Sequence, residues 1–305
     1  MIKRTLYFGN PAYLKTKYEQ LVIELPDTGE VKQVPIEDIG IVILDNQQIT
    51  ITQGLMSKLI EQNAAVITCD KTHHPVGLFL NLEGNILQTQ KFKAQIEASK
   101  PLKKQLWQQT IVAKLRNQAA VLEKRGIDNR IVYSYSKSVK SGDNSNNEAK
   151  AAVYYWRNLF PKEIKFSRDR YGMPPNNLLN YGYAVLRATV ARSLVGSGLL
   201  PTLGIFHHNQ YNAYCLADDI MEPYRPFVDY LVGDIFDPKQ IDFELDPGVK
   251  RQLLSIPALD VSINVSGKRG EEQVSPLMVA VQNTTSSLAK CFEGEAKSIV
   301  YPTLS

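Results

Sequence analysis

The hydrophobic period of this chain changes once, near residue 86, and that change governs what it can fold into. Before it, short β-branched runs alternate with turn residues. Leu21-Val22-Ile23-Glu24-Leu25 and Val31 to Ile36 flank Pro26-Asp27-Thr28-Gly29, whose Asp and Gly suit a tight turn. Ile39 to Leu44 and Ile49 to Thr52 add further β-branched runs around the polar Asp45-Asn46-Gln47-Gln48. Gln53 to Gln62 predicts a short helix, Ala64 to Cys69 a buried strand, and Val76 to Leu82 a last apolar run.

After the change, the spacing is helical. Pro101 opens a stretch in which Leu102, Leu106, Thr110, Ala113 and Asn117 recur on one row, and Trp107, Ile111, Leu115 and Ala119 on a second. Gly126 is the expected stop, because glycine tolerates the left-handed helix end. Leu178 to Gly198 predicts another long helix, closed by Gly196-Ser197-Gly198 and Pro201, while Ser134 to Asn147 reads as a loop. The expectation is an α+β chain: a small N-terminal β-rich domain (1–82), a join (83–100) and a larger all-α C-terminal domain (101–305).

Composition excludes some classes. With 44% hydrophobic and 22% charged residues, 305 residues do not describe a mostly disordered, collagen-like or fibrous chain. Cys69, Cys215 and Cys291 form no CxxC pair, which argues against a disulfide framework or a structural zinc. No apolar run approaches the roughly 20 residues of a membrane helix. No apolar signal segment follows the basic Met1-Ile2-Lys3-Arg4, so a cytoplasmic protein without membrane contact is expected. The net charge of +4 is a cancellation: residues 91–140 hold 12 Lys/Arg against three acids, and residues 211–246 nine acids against two bases. Solvated helix faces give such counts, and so does a polyanion surface beside a cation site.

Histidines fall in two adjacent pairs, His73-His74 and His207-His208. The second pair leads, through Asn209 to Asn212, into Asp218-Asp219-Ile220-Met221-Glu222-Pro223. Asp219 and Glu222 are three apart and share a helix face, where two carboxylates repel unless a cation or base intervenes. Imidazole with carboxylates suits Mn²⁺, Mg²⁺ or Zn²⁺. Were His207 to Glu222 one helix, the ends would stand roughly 22 Å apart at about 1.5 Å per residue, so sharing an ion requires a turn. An acidic capped helix with incidental histidines accounts for the same residues. Upstream, Glu148 opens a helix after the Ser/Asn-rich loop, where Asn146 or Asn147 could cap it and the macrodipole favours an acid.

Taken in order, four segments resemble the CRISPR-associated (Cas) integrase/endonuclease family, the universal spacer-acquisition subunit. They are Glu148-Ala-x-Ala-Ala-x-Tyr-Tyr-Trp156, Asn177-Leu-Leu-Asn-Tyr-Gly-Tyr183, Gly198-Leu-Leu-Pro-Thr-Leu-Gly-Ile-Phe-His207, and Leu216-Ala-Asp-Asp-Ile-Met-Glu-Pro-Tyr-Arg-Pro226. Pro35 to Asn46 and Cys69 to Gly77 look most like the type II branch, with His73 and His74 structural or interfacial.

The resemblance implies metal ligands and catalytic residues at Glu148, His207 and Glu222, with Asp219 as a supporting acid and Mg²⁺ or Mn²⁺ as the ion. His208 breaks the Gly-x-x-His spacing, and many relatives carry Asp where this chain has Glu222. It further implies insertion of foreign DNA fragments into a CRISPR repeat by transesterification. The implied partners are double-stranded DNA, a second copy of the chain and a small companion adaptation protein. Phosphate contacts are expected from the basic segment (Lys103, Lys104, Lys114, Arg116) and from Arg168 and Arg170 in the Phe166-to-Tyr171 loop.

Overall fold

The structure is a computed structural model describing residues 3–71, 73, 75–169, 171–239, 245–264 and 272–304. It divides into two compact units, Met1–Ile86 and Leu87–Ser305.

The first unit contains β1 (Arg4–Phe8), β2 (Tyr13–Lys17), β3 (Gln20–Glu24), β4 (Val31–Pro35), β5 (Ile39–Leu44), β6 (Thr50–Ile51), α1 (Gln53–Glu61), β7 (Ala65–Cys69) and β8 (Pro75–Phe79). One sheet has the order β1-β5-β7-β8 and the other β4-β3-β2-β6. β5 pairs in parallel with both β1 and β7, and its residues Ile39 to Ile43 are all buried. That explains its uninterrupted apolar run, the pattern of a strand covered on both faces. Leu14, Leu21, Ile36, Val42, Leu55, Leu59 and Val66 form the core. Thr52 caps α1 by accepting from the Leu55 N–H.

The second unit contains α2 (Gln88–Glu97), α3 (Lys100–Lys124), α4 (Arg130–Ser138), α5 (Asn147–Leu159), α6 (Asn176–Gly196), α7 (Cys215–Met221), α8 (Arg225–Ile235), α9 (Pro247–Leu253), β9 (Asp260–Asn264), β10 (Glu272–Pro276) and α10 (Leu277–Phe292). α3 and α6 supply most of its core. α3 buries Leu106, Trp107, Ile111, Leu115, Val121 and Leu122, and α6 is buried on nearly every side. At Gly126 (φ +68°) α3 stops as expected, with the Ile127 N–H returning to the Leu122 carbonyl at 2.8 Å.

Three expectations need correction. The C-terminal domain is not all-α, because β9 and β10 form an antiparallel hairpin. The join expected at 83–100 is largely the helix α2. The loop expected from Ser134 begins inside α4, which buries Val132 and Ser136 against its neighbours. Ser, Tyr and β-branched residues are indifferent helix formers, so packing on α3 and α5 decides there.

Candidate active site

α3, α5 and the single turn that joins α7 to α8 bring three charged side chains together. Glu148 stands in the first turn of α5. The chain enters that helix through a corner where Gly142, Asp143 and Asn146 have φ of 75°, 48° and 54°. Asp143 holds the corner, accepting the N–H groups of Asn147 and Glu148 at 3.0 Å each. It does the work expected of Asn146 or Asn147, and its charge suits a helix start.

Glu222 is buried in the turn after α7, and the Pro223 carbonyl accepts from Asn117 of α3 at 2.7 Å. Between the two glutamates lies the ammonium of Lys114, 2.5 Å from Glu148 Oε1 and 2.6 Å from Glu222 Oε2. Arg225 Nη2 is 3.1 Å from Glu222 Oε1. Burial opposes the charged form of both Lys114 and Glu222. Glu222 and Glu148 outweigh it for the lysine, which is held above its usual range. Arg225, Lys114 and His207 outweigh it for Glu222, whose carboxyl is held below the usual range.

Asp219, fully buried, organises the loop that carries His207. Its Oδ2 accepts from the Ile205 and Phe206 N–H groups at 2.7 and 2.9 Å, and its Oδ1 is 2.5 Å from His207 Nδ1. Glycine is required at 204, since a β-carbon there would stand 2.3 Å from the His207 carbonyl oxygen and 2.8 Å from Asp219 Oδ2. Trp107 stacks on Phe206 at 4.2 Å and meets the His207 ring edge-on at 5.7 Å. The bond to Asp219 raises the His207 pKa against partial burial, and Glu222 and Glu148 add to the rise. With Nδ1 committed, Nε2 is the ring nitrogen left for chemistry.

Among the described residues no three His, Cys, Asp or Glu side chains stand close enough to hold an ion as they are. The donors nevertheless fit a hard divalent cation. Glu222 Oε2 is buried and answered by the Lys114 ammonium at 2.6 Å, so a positive charge already stands against the carboxylates where a metal ion would. A second carboxylate and an imidazole nitrogen lie beside it, a set suited to Mg²⁺ or Mn²⁺.

The remaining expected residues scatter. Lys114, expected to contact phosphate, is buried between the glutamates instead. Lys104 and Arg116 are exposed and Lys103 is half-buried. The Arg168 guanidinium is tied to Asn176 and Asn180 at 2.9 and 2.7 Å. Arg170 and His74 lie outside the described residues. His208 is exposed, and His73 bonds the buried Asp45 at 2.9 Å. Sequence reasoning missed a buried group behind the site: Arg225 covers the Tyr183 ring at 4.9 Å, and the Tyr183 and Tyr155 hydroxyls both donate to Asp229. Burial pushes the Asp229 carboxyl up to about 7 despite those two donors.

A β-rich unit followed by a helical one is the fold shared with solved CRISPR-associated structures. Residues 6–257 match the family described as CRISPR associated protein Cas1, and the chain belongs to that family. It is 37% identical, over 99% of its length and 96% of the relative's, to the CRISPR-associated endonuclease Cas1 of Neisseria meningitidis serogroup C (strain 8013). A casposase bound to integration product shares the fold at TM-score 0.77 and 23% identity, covering 98% of this chain and 92% of that one. A Cas6-RT-Cas1–Cas2 complex does so at 0.73 and 18%, covering 99% and 36%. No helix among the described residues is long and apolar enough to cross a membrane.

Proposed function

We propose that this chain is a metal-dependent DNA integrase of CRISPR adaptation, joining the 3′-hydroxyl of a foreign DNA fragment to a phosphodiester at the edge of a repeat. The observation that carries the reading is the meeting of Glu148 and Glu222 at one buried cation, beside a histidine braced by a buried aspartate. Glu148, His207 and Glu222 would hold Mg²⁺ or Mn²⁺, which supplies Lewis-acid charge to the phosphate oxygens. Asp219 fixes which His207 nitrogen faces the site. Lys114 and Arg225 keep positive charge beside the carboxylates and a phosphodiester. Since the attacking and leaving oxygens both belong to DNA, no Ser or Cys nucleophile is needed, and the protein's task is to position two duplexes.

The name of the Neisseria relative supports endonuclease chemistry at such a site, with water in place of the hydroxyl. The complexes formed by structural neighbours support DNA as substrate and a small companion protein as partner. A homodimer, the type II setting and a cytoplasmic location belong to the same proposal. Incubating the chain with a labelled fragment, a repeat-bearing plasmid, the companion and Mn²⁺ or Mg²⁺ tests it. Joined product supports the integrase. Cleavage alone reduces the reading to a hydrolytic nuclease, and neither product leaves a DNA-binding scaffold.

A further inference from the structure

The segment 297–304 follows α10 without forming a helix, and side chains of α3 and α10 hold it. Gln109 of α3 donates to the Lys297 carbonyl at 3.0 Å and accepts the Ile299 N–H at 2.8 Å. Thr284 and Ser287 of α10 bond the Val300 carbonyl and N–H at 2.5 and 2.9 Å. The Tyr301 hydroxyl meets Thr110 Oγ1 at 2.8 Å, and Thr303 pairs with Ser262 of β9 through both backbone groups. About two turns along α3 from Gln109, Asn117 takes the far end of the segment. Its amide donates to the Pro302 carbonyl and its Oδ1 accepts the Leu304 N–H, each at 3.1 Å.

The same amide also donates to the Pro223 carbonyl at 2.7 Å. A carboxamide has two N–H donors, and in buried Asn117 both are spent on these two carbonyls. That grip matters because the turn carrying Glu222 is poor in backbone bonds. Pro223 and Pro226 lack N–H groups, so the Glu222 carbonyl takes the Arg225 N–H instead of one four residues on. On the same face of α3, three residues before Asn117, Lys114 meets the Glu222 carboxylate itself. We propose that Asn117 is a positioning residue for the reaction, transmitting the docking of segment 297–304 to Glu222 by gripping the Pro223 and Pro302 carbonyls together. The bonds to Pro302 and Leu304 fix the side-chain rotamer of Asn117. Without them its amide is free to leave Pro223, and Glu222 loses its register with Glu148 and His207. The proposal rests on the divalent-cation reading above and extends its support to a segment distant in sequence.

Mn²⁺ uptake by the full chain, followed by the loss of the free-ion paramagnetic resonance signal, tests the coupling. Asn117→Ala should weaken uptake about tenfold, the effect of removing an outer partner of a metal ligand. Gln109→Leu frees the segment at residues 297 and 299 without touching the Glu222 turn, and should weaken uptake about threefold. Ser193→Ala is the control: it removes a hydrogen bond to Thr285 and none to the segment, so uptake should stay as in the unmutated chain. Saturating Mn²⁺ should restore strand joining by Asn117→Ala. Unchanged uptake in Asn117→Ala or in Gln109→Leu, an equal loss in Ser193→Ala, or joining that stays low at saturating Mn²⁺ overturns the positioning role. Should Asn117→Ala fail to fold, Gln109→Leu against Ser193→Ala decides by the same criteria. An unmutated chain that takes up no Mn²⁺ overturns the divalent-cation reading itself.

Discussion

Lys114 sets the electrostatics of the site. Its ammonium is the charge that lets Glu148 and Glu222 share a buried point. Lys114→Ala leaves two facing carboxylates without it, and removing one partner of a buried pair costs about 3–5 kcal/mol. Thermal unfolding should show that loss, and added Mn²⁺ should restore part of it; an unchanged Tm would mean the ammonium is not needed. The lysine's place was legible in part. It follows Trp107 by seven residues and Ile111 by three, the spacing of one buried stripe, whereas Arg116, two residues on, turns about 200° away and is exposed. Counting charge along the segment hid that difference. Asp229 offers a pH test. Raised to about 7, it holds a proton in the folded chain that the unfolded chain loses above about pH 4. Its contribution to stability is therefore full below pH 4 and falls as pH rises towards 7. Denaturant unfolding of Asp229→Asn should show a flatter pH dependence than the unmutated chain between those values.

Elements were legible where burial imposes a pattern and obscure where contacts do. The uninterrupted β5 run, the two rows of α3 and the Gly126 stop can all be read from the residues, because each follows from a strand buried on both faces, a helix packed on two sides or a left-handed helix end. The hairpin β9–β10 shows only Val261 and Ile263 alternating in a short stretch between helices, and α4 forms from residues with little helical preference. The loop around His207 was visible as Gly-x-x-His, but its reason was not: Gly204 leaves room for Asp219 to bind three successive residues. Gly204→Ala pushes a β-carbon into the His207 carbonyl oxygen and Asp219. Strand joining should fall by about 100-fold, the effect of misplacing a catalytic group by about 1 Å, while circular dichroism shows a folded chain. Full joining by that variant would show that the loop tolerates a shift of His207.

For the whole molecule, the near-neutral total charge is the sum of a basic segment and an acidic one, and the structure divides the work differently from that count. Part of the basic segment turns inward at Lys114, and part of the acidic one is consumed in holding the fold, at Asp219 and Asp229. Ordered motifs made Glu148, His207 and Glu222 legible as a set, but the cation between the two acids appears only once α3, α5 and the turn after α7 are packed. The central claim is that these three residues form one divalent-cation site. Mn²⁺ titrated into the full chain, followed by the loss of the free-ion paramagnetic resonance signal, tests it directly. A single ion should bind, and Glu148→Gln, His207→Ala and Glu222→Gln should each weaken it by at least about tenfold. Undiminished uptake by all three variants would contradict the claim.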